Sequence, residues 1–407
     1  MLQTDNTNDI YYPNTLDQLV RFLKKNEKPI SICGAGYTPS SHWTPEDGFI
    51  INLINLNRIS VDLNDQTYEV EGGATWKQVF NKLLKHNLIP QVCDEYLEYT
   101  VGGSISTNCT GYQMKNIHES IVNIKVVTVK GEIIMCDKNN NAEVYTSVIE
   151  TYGMIGIIGS VKLKGIFNNI IKCKIIKCFS DSLNDEINKI TKKYELMVYK
   201  IRICIKTSQI YHICWIKESG YYMVDGPLLN TQHNLIDVNK KISWEPICQI
   251  YNNLYYSNKD KTVSRLSYEV IESIKNKINQ YEIYVPIHNI DNILRELLTL
   301  ISTYNLNMTN MILKYITGSP IMIGIKMYMT DDSNQMKYMK KCYKLVIKYA
   351  GKWYLGNRCM YTREDVLIGY PQILEVINWK MKYDPDWILR SKFWMYLVDI
   401  LKNKEII

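Results

Sequence analysis

At 407 residues the chain exceeds one average domain and is long enough for two or three packed units. Its 46% hydrophobic and 22% charged residues are ordinary for a globular protein, and no apolar run reaches the ~18–20 residues of a membrane span. The formal charge of +7 is spread thinly, with no basic stripe interleaved with aromatics, which argues against a nucleic-acid-binding module.

Eleven cysteines form an odd set without a Cys-x-x-Cys pair, pointing to free thiols in a reducing compartment. The first residues lack the basic and apolar regions of a signal peptide, so the expected location is cytoplasmic. The histidines (His42, His86, His118, His212, His233 and His288) show no metal-ligand spacing, and no Gly-x-Ser-x-Gly elbow occurs.

In chain order, Thr15-Leu16-Asp17-Gln18 reads as a capping box opening a helix whose apolar face is Leu16, Leu19, Val20 and Leu23. Residues 30–33 read as a short buried strand running directly into Gly34-Ala35-Gly36-Tyr37-Thr38. A strand entering Gly-x-Gly with a nearby hydroxyl can cradle a pyrophosphate on backbone N–H groups, though the motif taken alone is weak and favours a plain structural turn. A strand at 49–53 and a hairpin over 59–70 with an Asn64-Asp65 turn follow, and Thr75 caps a helix to about His86.

The stretch 94–111 is too rich in glycine and hydroxyl residues to be a plain strand or helix. Glycines 102, 103 and 111 would let backbone N–H groups approach a bound group, and Thr100, Ser104, Ser106, Thr107 and Thr110 add hydroxyls. A second hairpin over 121–136, a helix over 142–152 and a strand ending near Leu163 complete this block. From about Phe167 strands at 172–179, 198–205, 211–216, 311–316 and 321–327 alternate with helices at 181–193, 289–304 and 333–349. That pattern predicts an antiparallel sheet with helices on one face.

The succession of Gly34-Ala35-Gly36-Tyr37-Thr38, Val70-Glu71-Gly72-Gly73, Thr100-Val101-Gly102-Gly103, the 127–132 hairpin and Gly153-x-x-Gly156-Ile157-Ile158 resembles the FAD-binding domain of the vanillyl-alcohol-oxidase/p-cresol-methylhydroxylase (PCMH-type) family. The stretch 94–103 is similar to cytokinin dehydrogenases, and Gly351-Lys352-Trp353-Tyr354-Leu355 with Lys382-Tyr383-Asp384-Pro385 resembles the end of decaprenylphosphoryl-ribose and aldonolactone oxidases. The resemblance implies an α+β fold: a PCMH-type FAD domain of two α/β subdomains over 1–166, an antiparallel-sheet substrate cap over 167–350, and a tail over 351–407 returning to the FAD domain.

The cofactor-binding set expected on this reading is Cys33, Gly34, Ala35, Gly36, Tyr37, Thr38, Ser41, Thr100, Val101, Gly102, Gly103, Thr107, Asn108, Thr110, Gly111, Ile158 and Tyr354. Backbone amides of 34–38, 100–103 and 107–111 are assigned the pyrophosphate and ribityl chain; by resemblance, Ile158 meets the pyrimidine edge and Tyr354 the isoalloxazine. Many relatives link FAD through a His after Gly-x-Gly, where this chain has Tyr37, and a second-loop Cys corresponds roughly to Tyr99, so non-covalent FAD is expected.

The catalytic candidates are Glu95, Lys314, Tyr354 and Asn357. Glu95 matches the cytokinin dehydrogenase acid by count, or is a solvated loop carboxylate. Lys314 interrupts an apolar strand and either faces solvent or points into a cleft. Asn357 stands where decaprenylphosphoryl-ribose oxidases carry a catalytic lysine, and adjacent Arg358 would face the opposite side of a strand.

The expected reaction is hydride transfer from a CH–OH group of a sugar- or polyol-like small molecule to flavin N5. A CH–NH substrate, C=C reduction and a non-catalytic flavin-binding role are the alternatives.

Overall fold

The computed structural model describes residues 9–38, 43–45, 47–94, 96–111, 113–178, 182–205, 208–221, 278–306, 308, 310–330, 333–356 and 361–402. They separate into two compact units: Met1–Gly111 with Asn116–Phe167 and Pro371–Ile407, and Tyr112–Lys115 with Asn168–Tyr370.

In the first unit, β1 (Asp9–Tyr11), β2 (Ile30–Cys33) and β3 (Phe49–Asn52) form a parallel sheet in the order β1-β3-β2. Helix α1 (Leu16–Leu23) is capped by Thr15, whose hydroxyl accepts from Gln18 N at 3.2 Å. The Gln18 amide reaches Asn14 N at 2.8 Å, one residue further back than a capping box requires. Leu19 and Leu23 pack with Ile30, Ile51, Val127, Ile157 and Leu389 in one core. Each such buried aliphatic contributes about 1.5–3 kcal/mol.

The hairpin β4 (Ile59–Asp62) and β5 (Thr67–Glu71) precedes α2 (Trp76–Leu83), where Thr75 and Gln78 complete a capping box. Next come β6 (Leu88–Pro90), α3 (Val101–Ser106), β7 (Ile121–Val127), β8 (Ile133–Cys136), α4 (Ala142–Val148) and β9 (Ile157–Phe167). The antiparallel order is β4-β5-β9-β7-β8, with β6 also paired to β9. Two expectations change here. The stretch 94–111 does contain a helix, and α4 stops at Val148 because Glu150 and Tyr152 adopt φ of 61° and 52°, outside the right-handed helical region.

The second unit is a seven-stranded antiparallel sheet. In chain order it holds β10 (Asn169–Cys178), α5 (Leu183–Lys193), β11 (Leu196–Cys204), β12 (Gln209–Tyr221), β13 (Ile278–Pro286), α6 (Ile290–Thr303), β14 (Asn310–Ile316), β15 (Met322–Thr330), α7 (Ser333–Lys348), β16 (Lys352–Trp353) and α8 (Arg363–Gly369). The spatial order is β10-β12-β11-β14-β15-β13-β16. One face carries Leu313, Ile325, Met327, Ile283 and Trp353. Tyr338 of α7 reaches Met327 Sδ at 3.4 Å, and the Tyr343 ring lies 4.5 Å from that of Trp353, tilted by 35°. Asp291 at the start of α6 caps α5, accepting from Leu183 N at 2.6 Å and from Ser182 Oγ at 3.0 Å.

Residues 351–370, expected in the returning tail, belong to this unit instead. Trp353 pairs with Ile283, and a Cβ on Gly369 would meet its ring at 2.1 Å. The return begins at Pro371.

Helices α9 (Ile373–Tyr383) and α10 (Lys392–Lys402) close the first unit. The segment between them extends the parallel sheet: Ile30 N donates to Ile388 O at 2.7 Å and Arg390 N to Ile30 O at 2.8 Å. Fully buried Lys380 bonds to Asp384 Oδ2 at 2.5 Å, to Met154 O at 3.0 Å and to Leu389 O. Burial pushes its amine down to about 8, with Asp384 acting in the opposite direction. Among the described residues no helix is long and apolar enough to cross a membrane.

Candidate functional site

Strand β2 delivers the loop at 34–38. Gly36 has φ 78°, a left-handed conformation that side chains rarely adopt. A Cβ on Gly34 would stand 2.3 Å from Thr100 Oγ1, so the first glycine loop lies directly against the second. Tyr37, 46% exposed, places its ring 5.4 Å from Tyr99, which packs 4.9 Å from Tyr96. The Cys33 side chain turns inward. Asn52 Nδ2 lies 3.7 Å from its sulfur, and burial pushes the thiol up to about 12, with the Gly36 N–H lowering it. Any cofactor contact from Cys33 is therefore left to its backbone.

Thr100 caps α3, accepting from Gly103 N at 3.3 Å. Val101 N donates to Ala74 O at 2.9 Å and Gly102 N to Gly72 O at 2.8 Å. The amides at 101–103, expected to meet the pyrophosphate, are thus already engaged within the protein, a correction to the sequence reading. Their glycines serve backbone approach instead. A Cβ on Gly102 would sit 2.8 Å from Gly72 O, and one on Gly72 would sit 2.2 Å from Ile158 O. This stack brings Ile158, on β9, to the same place as the two loops.

Behind α3 runs a buried relay: Trp76 Nε1 donates to Ser104 Oγ at 2.9 Å, and Ser104 Oγ donates to Asp94 Oδ2 at 2.8 Å. Thr107 Oγ1 donates to Gly103 O at 3.1 Å and Thr110 Oγ1 to Asn116 Oδ1 at 2.9 Å, so these hydroxyl protons shape the loop. Asn108, at φ 47°, gives its amide to Glu150 Oε2 at 3.1 Å and accepts from His118 Nδ1 at 2.9 Å. Tyr152 N donates to Ser106 O at 2.8 Å. Glu150, His118 and Tyr152 were not among the expected site residues. Positive φ at Asn108, Glu150 and Tyr152 is a tertiary feature with no sequence signal beyond the asparagine. Gly111 packs on Cys93, where a Cβ would stand 2.5 Å from its carbonyl oxygen.

The residues present fit a dinucleotide such as FAD. Gly34 and Gly36 line one loop without side chains, and Gly103 is exposed on α3, where a Cβ would meet only Thr100 Oγ1. Gly153 opens on space, with nothing within 4 Å of its would-be Cβ. Ser41, Glu95, Asn357 and Arg358 lie outside the described residues, as does His42.

In the second unit, Lys314 and Tyr354 come to one sheet face. Register pairs Lys314 with Gly324 and Gly324 with Tyr284, while Tyr354 N donates to Glu282 O at 3.0 Å, continuing β16 along β13. Lys314 Nζ stands 3.7 Å from Glu282 Oε1, and both side chains are buried. The solvent-facing alternative for Lys314 is thereby excluded. A Cβ on Gly356 would lie 2.5 Å from Tyr354 Cε1, so this glycine seats the tyrosine ring. Burial, then the Glu282 charge, holds the Tyr284 hydroxyl well above its ordinary range.

Residues 12–137 match the FAD binding domain family. Cytokinin dehydrogenase 3 of Arabidopsis thaliana is 30% identical over 167 residues, covering 38% of this chain and 32% of that protein. D-arabinono-1,4-lactone oxidase of Candida glabrata is 28% identical over 179 residues, covering 41% and 34%. L-gulonolactone oxidase of Bos taurus is 27% identical over 160 residues, covering 38% and 36%. The chain spans about a third of the length of each of these relatives. An FAD-binding domain in its N-terminal region and relatives of these names make the chain similar to PCMH-type FAD oxidoreductases.

Proposed function

We propose that this chain oxidises a CH–OH group of a sugar- or polyol-like substrate, with FAD bound non-covalently in the first unit. The observation that carries this reading is the contact of Gly34 with Thr100, which joins two glycine loops, distant in sequence, at one place inside an FAD-binding domain. When bound, FAD supplies the hydride acceptor.

The chain's own residues supply binding, orientation and proton handling. Because the amides at 101 and 102 are engaged elsewhere, the loop at 34–38 is the better source of N–H groups for the pyrophosphate. Thr107, Asn108, Thr110 and Gly111 hold the wall of the site, and the Ile158 backbone borders it. On the substrate side, Lys314 would steady the hydroxyl oxygen, and Glu282 at 3.7 Å is a carboxylate able to accept the proton that leaves as the carbonyl forms. Tyr354, seated on Gly356, would orient the substrate on that sheet face.

Tyr37 in place of a linking histidine supports non-covalent attachment. A second reading, oxidation of a CH–NH group, is supported by the relatives named cytokinin dehydrogenase, with Glu95 as its acid/base candidate. The test is direct. Purified protein should be yellow, and acid precipitation should release the colour. Anaerobic polyols and lactones should then bleach the visible band, and bleaching by amines alone would favour the second reading. A colourless protein that takes up no FAD would refute both, and a yellow protein that none of them bleaches would leave a flavin-binding role.

A further inference from the structure

A left-handed backbone comes without strain only for glycine; a residue with a Cβ adopts it at a cost that its surroundings must offset. Between α4 and β9 three of four successive residues take it: Glu150 at φ 61°, Tyr152 at 52° and Gly153 at 75°. The turn is held from both sides. Thr151 Oγ1 donates to Ser147 O at 2.9 Å, and Trp394 Nε1, from α10, donates to Thr151 O at 3.0 Å. Toward α3, Tyr152 N donates to Ser106 O at 2.8 Å and Glu150 N to Ile105 O at 3.4 Å. A glycine at 150 would keep every one of these bonds, so they do not account for a glutamate there.

The side chain makes the difference. Glu150 Oε2 accepts from Asn108 Nδ2 at 3.1 Å, and Asn108 Oδ1 accepts from His118 Nδ1 at 2.9 Å. An ionised carboxylate only accepts, so it decides which end of the Asn108 amide faces it and leaves the amide oxygen for the imidazole N–H. Asn108 is itself left-handed, at φ 47°, where the chain leaves α3. The N–H groups of Thr107, Asn108 and Cys109 donate back to Gly103 O, Ile105 O and Ser104 O at 3.2, 3.0 and 2.9 Å. This wall therefore meets a ligand through the course of its chain rather than through those amides. That course turns at Asn108, which is held by Glu150 on one side and His118 on the other.

We infer that Glu150 is a positioning residue for the cofactor: acting through Asn108, it holds residues 107–111 in the course that borders the bound dinucleotide. This rests on the FAD reading above. Strain at a residue that glycine could replace marks a place where local stability is given up for a fixed arrangement nearby. Here the arrangement is the Asn108 turn, gripped by a hydrogen bond to an ionised group, the stronger kind. A turn fixed before the ligand arrives spares the ordering that binding would otherwise have to impose. If Glu150 served the fold alone, glycine would serve it as well, because the strain it relieves offsets the added freedom of the unfolded chain.

The experiment titrates the full chain, stripped of flavin, with FAD. Affinity is read from the change in flavin fluorescence, and the melting temperature of the flavin-free protein is measured alongside. Glu150→Gly should weaken FAD binding about tenfold while leaving that melting temperature unchanged or raised. Glu150→Gln keeps an acceptor oxygen for Asn108 and should bind FAD within about threefold of the parent. Asn108→Gly, also at ease with its φ, should weaken FAD binding as Glu150→Gly does, and the double variant should be no worse than either single one. Parental affinity in Glu150→Gly, Glu150→Gln as weak as Glu150→Gly, or additive losses in the double variant would overturn the inference. So would a lower melting temperature or a failure to fold in Glu150→Gly, which would assign the glutamate to the fold. A parent protein that takes up no FAD would refute the flavin reading and this inference together, whereas parental FAD binding that Glu150→Gly leaves intact counts against this inference alone.

Discussion

The hydroxyl oxygen of Thr100 occupies the space where a side chain on residue 34 would begin. A Cβ there would stand 2.3 Å from Oγ1 and 3.2 Å from Cγ2, well inside any tolerable contact. Gly34→Ala is therefore expected to push the two loops apart, costing about 1–3 kcal/mol and lowering the flavin retained per protein about tenfold. Thr100→Ala alone loses a helix cap worth about 1 kcal/mol. In the Gly34→Ala/Thr100→Ala double variant the clashing atoms are gone, and flavin content, read as the visible-to-ultraviolet absorbance ratio, should partly recover. A double variant no better than Gly34→Ala would mean that the loops do not meet in this way.

Lys380 and Asp384 make a second, purely structural point. The lysine is fully buried with its charge satisfied by Asp384, Met154 O and Leu389 O. Removing one partner of such a pair leaves a buried charge, so Lys380→Met should cost about 3–5 kcal/mol in denaturant unfolding. Lys382, on the same helix, pairs with Glu143 at the surface, and its truncation should have a far smaller effect. Equal effects at the two lysines would contradict the burial described.

Gly356 tests the assignment of Tyr354. Since an alanine there would drive into the tyrosine ring at 2.5 Å, Gly356→Ala should lower kcat/KM about tenfold, as Tyr354→Phe should, with flavin content unchanged. Lys314→Met should cost about 10–100-fold in kcat/KM, again without loss of flavin. A variant of either residue that instead purifies colourless would move its role from substrate to cofactor.

His212 should impose an acid limit on stability. It is fully buried, with Tyr199 OH 2.7 Å from Nδ1 and Cys178 Sγ 3.2 Å from Nε2. Burial lowers its pKa from 6.5 to about 4. Between those values the unfolded chain binds a proton that the folded one refuses, so stability is complete above pH 6.5 and falls as pH drops toward 4. The shift corresponds to about 3 kcal/mol across that window. Urea unfolding from pH 7.5 to 4.5 should show this decline, shallower by that amount in His212→Gln. Parallel pH profiles for the two proteins would show that the imidazole charges freely in the fold.

Local rules were legible where periodicity and caps agree. Thr15 and Thr75 start their helices, the 59–70 hairpin closes at its turn, and β10, β11, β12, β14 and β15 with α5, α6 and α7 fall close to where alternation put them. Strand β13 was missed, and α3 was excluded because two of its six residues are glycines. Propensity disfavours that helix, but Thr100 caps it and Gly102 packs on Gly72 without a side chain between them.

By itself the sequence determined that hydroxyl- and glycine-rich turns end buried strands, that the middle of the chain is a sheet with helices, and which residue types could serve a phosphorylated cofactor. Those are properties of neighbours along the chain, set by period, turn chemistry and caps. Only the tertiary structure decided that Gly34 meets Thr100, that the amides at 101 and 102 are taken by Ala74 and Gly72, and that Lys314 lies opposite Lys200 beside Glu282. Strand register sets those encounters, and register depends on long-range pairing that no local window of residues contains.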